Sequence, residues 1–107
     1  MTHQGDKKAA FDPGNYPALL ELLPGYLHED FAEEYGSAGK AFAALLADAS
    51  ADQIRDVKQE WRALRQSFAG RGLDELHGAL GRLGAAWQPQ SEHELQAVDE
   101  ILSRAEA

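Results

Sequence analysis

The sequence predicts an all-α protein, a compact single-domain bundle of about five to six short helices. Three observations carry that expectation. No stretch alternates apolar and polar residues over a useful length, so strands have no signal. Apolar residues recur instead at three- and four-residue spacing, most clearly over residues 38–49 and 54–68. Serines stand where the stripes begin (Ser37, Ser50, Ser91) and glycines where they end (Gly36, Gly70, Gly84).

Residues 1–12 read as a frayed tail with Phe11 its one large apolar side chain, leaving 13–107 as the helical domain. Asp12-Pro13-Gly14-Asn15 is a turn in which Asn15 caps a helix opening at Tyr16-Pro17. Tyr16, Leu19, Leu20 and Leu23 fall on its inner face. Pro24 lacks a backbone donor and disfavours helix at the residue before it, so this helix should stop at Leu23. Gly25 then permits a change of direction that turns Tyr26 and Leu27 inward. A second helix from Leu27 to Tyr35 would carry Leu27, Phe31 and Tyr35 on one stripe and end at Gly36.

Ser37 caps a third helix with Ala38, Ala41, Phe42, Leu45, Leu46 and Ala49 inward. Ser50 followed by Gln53 forms a capping box for the fourth and longest helix, whose stripe is Ile54, Val57, Trp61, Leu64 and Phe68. Trp61 sits mid-stripe and should be the centre of the core. A fifth helix carries Leu73, Leu76, Leu80 and Leu83, with Gly78 and Gly81 on other faces. Each of those glycines costs about 1 kcal/mol against alanine, so something should compensate, and close approach of a neighbouring helix is one way to do so. Residues 85–90 form a loop whose Trp87 covers an end of the bundle. Ser91 with Glu94 is a second capping box, opening a final helix with Leu95, Val98, Ile101 and Leu102 inward.

A chain of 107 residues makes one domain, burying about 65% of the surface its unfolded form exposes. Absence of cysteine excludes disulfides, thiolate metal sites and cysteine nucleophiles. The opening residues resemble no signal peptide and no apolar run approaches a membrane span, so a cytoplasmic protein without membrane contact is expected. The net charge of -8, from 18 acids against 10 bases, repels phosphate backbones and disfavours direct nucleic-acid binding. The charge is also unevenly spread. Residues 9–39 hold six acids and no base, whereas residues 55–82 hold six bases and four acids. This describes an acidic face on a less acidic body, which is either plain solvated surface or a docking surface.

His28 with Asp30 is the one pair that invites a catalytic or metal reading. The plainer reading is a histidine held at a helix start, with Asp30 favoured by the helix's positive end. His3, His77 and His93 are distant in sequence, and a zinc site needs three or four ligands. The serines are committed as caps or, like Ser67, lack an evident base. No catalytic residue, metal site or cofactor is therefore expected. Asp48, Asp52, Asp56 and Glu60 recur every four residues, the last three sharing one helix face where they repel each other. Either that stripe is simply solvated, or it answers a basic surface on a partner.

The stretch Tyr26-Leu27-His28-Glu29-Asp30-Phe31, with Gly36 following, resembles the signature of the immunity proteins of contact-dependent growth inhibition systems. That signature reads aromatic-Phe-His-Gln-Asp-Trp, then a glycine. Tyr16-Pro17-Ala18-Leu19-Leu20 and Leu83-Gly84-Ala85-Ala86-Trp87-Gln88-Pro89 are similar to it as well. Leu27, Glu29 and Phe31 depart from the pattern while keeping approximate size. The resemblance implies a small helical protein that binds and blocks the C-terminal toxin domain of a cognate effector. Its signature positions are Tyr26, His28, Asp30, Phe31 and Gly36. The partner-facing acids would then be Glu29, Asp30, Glu33 and Glu34, with Asp52, Asp56 and Glu60. The rival readings are a helical adaptor without a toxin partner and a metal-dependent enzyme using His28 and Asp30.

Overall fold

A computed structural model describes residues 11–105, and the architecture is all-helical with no strand among them. A single 3-10 turn, Pro13–Asn15, leads into α1 (Pro17–Tyr26), α2 (Phe31–Tyr35), α3 (Ala38–Asp48), α4 (Ala51–Ser67), α5 (Leu73–Arg82) and α6 (Glu92–Arg104). α3 packs against α1, α2 and α6, and α4 lies against α1 and α6. No helix among the described residues is long and apolar enough to cross a membrane.

The caps explain why α3 and α4 start where they do. Ser37 Oγ accepts the Lys40 amide, while Ser50 and Gln53 form the full reciprocal box. Each such cap contributes about 1 kcal/mol. The stripes face inward as their spacing requires: Ala41, Phe42, Leu45, Val57 and Leu64 are fully buried. Trp61 is 3% exposed, with Phe42 5.4 Å away in an edge-on arrangement. Burying an indole at this depth contributes on the order of 4–6 kcal/mol before entropy.

Several expectations are corrected. α1 does not stop at Leu23; it runs through Pro24 to Tyr26. The missing Pro24 donor would have met the Leu20 carbonyl, and Leu20 is, among the described residues, the large hydrophobic left exposed, at 40%. Water is therefore at hand where the helical bond is lost, and one residue of the expected inner face points outward. Asn15 lies in the 3-10 turn, and α1 starts without a side-chain cap from its own flank. Phe11, assigned to the tail, packs on Tyr16 at 5.5 Å and accepts a hydrogen bond from Arg82 at its carbonyl. Residues 1–10 of that expected tail lie outside the described residues.

α2 begins at Phe31 rather than Leu27. Leu27 instead closes α1, its amide donating to Leu23 O, and its side chain is fully buried. The stripe Leu27–Phe31–Tyr35 thus spans a break, and Phe31 and Tyr35 are only partly buried. On α5, no atom from elsewhere lies within 4 Å of a Cβ placed on Gly78 or Gly81, so no close helix offsets them.

Residues 83–90 hold the largest departure. Leu83, Ala85, Trp87 and Pro89 are buried in alternation with exposed Gly84, Ala86, Gln88 and Gln90. Leu83 and Gly84 form the turn that ends α5, and the irregular residues 85–90 that follow send their odd-numbered side chains into the core without pairing as a strand. Trp87 is 3% exposed and stacks on Trp61 at 6.3 Å, a central position rather than an end cover. The Ser91–Glu94 box is half formed. Ser91 Oγ accepts the Glu94 amide, but the Glu94 carboxylate turns back to the Gln90 amide and Trp87 Nε1.

Candidate functional site: the acidic corner

The helical run breaks between α1 and α2, and the same segment is gripped from behind by residues 84–86. A Cβ on Gly84 would stand 2.6 Å from Pro24 Cγ, so the prolyl ring occupies the space a side chain would need. Gly84 also has φ +88, a conformation that favours glycine. Two residues on, the Ala86 amide donates to Leu27 O at 2.7 Å. Pro24 and Leu27 are therefore anchored against a segment some sixty residues downstream in the chain.

On the outer side, Tyr26 Oη donates to Asp48 Oδ2 at 2.6 Å, tying the end of α1 to the end of α3. That hydrogen bond to Asp48 raises the Tyr26 phenol above its ordinary range. Tyr35, 6.1 Å from the Tyr26 ring, is raised chiefly by desolvation and then by the neighbouring Glu34 carboxylate. His28 accepts the Asp30 amide at Nδ1 (3.1 Å), which leaves Nε2 to carry the proton and donate to Glu34 Oε1 at 2.9 Å. Asp30 in turn supplies the carbonyl that receives the Glu33 and Glu34 amides. Its carboxylate makes no capping bond. Gly36, φ 96, ends α2 as its position in the sequence requires.

This frame presents Glu29, Asp30, Glu33 and Glu34 exposed on one short segment. Among the described residues, no lysine or arginine pairs with any of them, and the hydrogen bond from His28 to Glu34 is a contact of a neutral ring. Like charges this close repel, and screening by water and salt keeps the cost small.

The second expected set divides. Asp52 pairs with Arg55 at 3.0 Å on an exposed face, and Asp56 is exposed. Glu60 does not belong to the outward stripe. Its two oxygens accept the amides of Ala18 (3.1 Å) and Leu19 (2.9 Å), so it caps α1 from α4. The N-terminal amides of α1 lack helical partners and carry partial positive charge, which is why a carboxylate settles there.

Residues that spacing did not single out hold the interior polar contacts. Asp99 accepts from Trp61 Nε1 at 2.7 Å and from Arg65, raising the Arg65 guanidinium further above its already high range. His77 meets the Pro89 carbonyl. Among the described residues, no three histidine or acidic side chains converge where a metal ion could be held. Comparison of the chain with protein-family models, curated proteins and solved structures finds no match.

Proposed function

We propose that this chain is a stoichiometric protein inhibitor of the immunity type. It would act in the cytoplasm, binding the C-terminal toxin domain of a cognate contact-dependent growth inhibition effector and occluding its active site. The observation that carries the reading is the acidic corner, which no lysine or arginine among the described residues compensates. Glu29, Asp30, Glu33 and Glu34 are exposed on a segment whose backbone is fixed by Tyr26–Asp48, His28–Asp30 and Gly84–Pro24. A rigid anionic surface suits a basic cleft, because little ordering entropy is lost on docking. It also speeds encounter with a positively charged partner. Asp56 is exposed on α4 and adds to the acidic charge of the molecule, whereas Glu60 caps α1 and Asp52 is ion-paired. The corner's resemblance to the immunity signature joins the chemistry to a partner class, and a nuclease cleft, built to attract phosphate, is the matching surface.

The decisive experiment co-expresses the toxin fragment encoded beside this gene, with and without the gene. Cells are expected to survive only with it, and equal survival in both arms sinks the proposal. A Glu33→Lys, Glu34→Lys variant separates the acidic-corner mechanism from immunity itself. Its association with the toxin is expected to slow at least tenfold at low salt and to lose most of its salt dependence.

A further inference from the structure

Three aromatic rings stand at the edge of the acidic corner. The Tyr26 and Tyr35 ring centroids are 6.1 Å apart with their planes inclined by 31°, and His28 lies 6.5 Å from Tyr35. All three are half-buried, the two tyrosines packing on the core while keeping part of their surface in water. Packing alone asks for no charge nearby, yet each tyrosine has a carboxylate beside it. Tyr26 Oη donates to Asp48 Oδ2 at 2.6 Å, and Glu34, next to Tyr35 in the chain, accepts from His28 Nε2 at 2.9 Å. Both phenols titrate above their ordinary range, Tyr26 chiefly through its bond to Asp48 and Tyr35 chiefly through desolvation, with the Asp48 charge acting on each.

Each carboxylate spends one oxygen on these contacts. The second oxygen of Asp48 and of Glu34 has no partner among the described residues. Lys40, folded beside Gly36, forms an ion pair with neither. The faces of aromatic rings carry negative charge, as carboxylates do, so both kinds of group attract a cation to the same place. A flat, weakly hydrated cation with donors around its rim answers both at once. That describes a guanidinium, whereas an ammonium is a strongly hydrated point charge.

We propose that Tyr26 and Tyr35, with Asp48 and Glu34, form a receptor for one arginine side chain of a partner protein. A plane held between two rings needs a gap of about 7 Å. Rings 6.1 Å apart leave no such gap, so the guanidinium rests on the solvent side of the pair. Its N–H groups donate to the free oxygens of Asp48 and Glu34. This deepens the inhibitor reading, and rests on it for the partner's identity, by naming the group that the toxin presents. Glu29, Asp30 and Glu33 then speed the encounter, and the arginine fixes where the partner docks.

The test needs no toxin, so a failed titration leaves immunity standing and a failed co-expression leaves the receptor standing. N-acetyl-arginine N-methylamide is titrated into the protein while the ring-proton resonances of Tyr26 and Tyr35 are followed by NMR. Both are expected to shift and to saturate together in the millimolar range. The citrulline analogue, of the same shape without the charge, should not saturate, and the lysine analogue should bind about threefold more weakly. Asp48→Asn and Glu34→Gln should each weaken arginine about fivefold. Asp74→Asn, which removes the same charge from the exposed start of α5, should change it by less than about twofold. Tyr35→Leu should abolish saturation while circular dichroism stays unchanged. No saturation by about 50 mM arginine amide, tyrosine resonances that stay in place, or a citrulline or lysine analogue that binds as tightly would each overturn the assignment. So would Asp48→Asn and Glu34→Gln proteins that bind arginine as the parent does.

Discussion

Pro24 and Gly84 meet so closely that the ring of one fills the place where the other would carry a side chain, at 2.6 Å from a built Cβ. The proline that the sequence presents as a helix terminator is thereby a packing element, and the glycine that ends α5 is its seat.

Gly84→Ala should therefore be costly. A left-handed alanine costs about 1–2 kcal/mol, and displacing the ring adds a packing loss of about 1–3 kcal/mol. Urea denaturation should show a total loss of about 2–5 kcal/mol with an unchanged slope. Adding Pro24→Ala should recover the packing part but not the backbone part, a coupling that a double-mutant cycle measures. A Gly84→Ala protein within 0.5 kcal/mol of the parent would show that the contact is not formed in solution.

Glu60→Ala removes the acceptor for two helix-terminal amides and should destabilise by about 1–2 kcal/mol. Glu60→Gln, which keeps an oxygen but not the charge, should lose roughly half of that. Because its carboxylate is occupied within the fold, neither change should alter the rate of association with a basic partner by more than about twofold. A tenfold slowing would return Glu60 to the docking surface.

Asp99→Ala strands the indole N–H of Trp61, a residue 3% exposed. Leaving that donor unpaired costs about 1–3 kcal/mol. The near-ultraviolet circular dichroism of the Trp61–Trp87 stack should change alongside. A spectrum and midpoint equal to the parent's would mean that water replaces the carboxylate without loss.

Tyr26 titrates above the ordinary phenol range because its proton is held by Asp48. A folded-state value raised above the unfolded one contributes stability that is fully present below the unfolded pKa and is lost as pH rises through the folded value. Tyr26–Asp48 should accordingly add stability up to about pH 10 and lose it beyond. Asp48→Asn should bring the tyrosinate absorbance transition down; an unmoved transition would dissociate Tyr26 from Asp48.

What the sequence disclosed follows the range of the interactions concerned. α3 and α4 were legible to within a residue because Ser37, Ser50 and the stripes through Phe42 and Trp61 act over three or four positions. Pro24 was misjudged because its local rule is sound and its partner, Gly84, is remote. Glu60 looked like one more acid on a charged face, since nothing near it in the chain indicates that α1 starts alongside. Trp87 sits in a stretch without helical period, and only the core that receives it shows why residues 83–90 alternate. The acidic corner could be read directly, because its residues are contiguous.

Glu60 has one more consequence. α1 offers Leu19, Leu22 and Leu23 to the core while Leu20 points outward, and a greasy ridge so uniform could slide a turn along α4 at little loss. Its carboxylate accepts from Ala18 and Leu19 alone, so any such slip would leave a half-sheltered charge facing leucine. An anion at the head of α1 thus acts as the register pin that interchangeable leucines cannot supply.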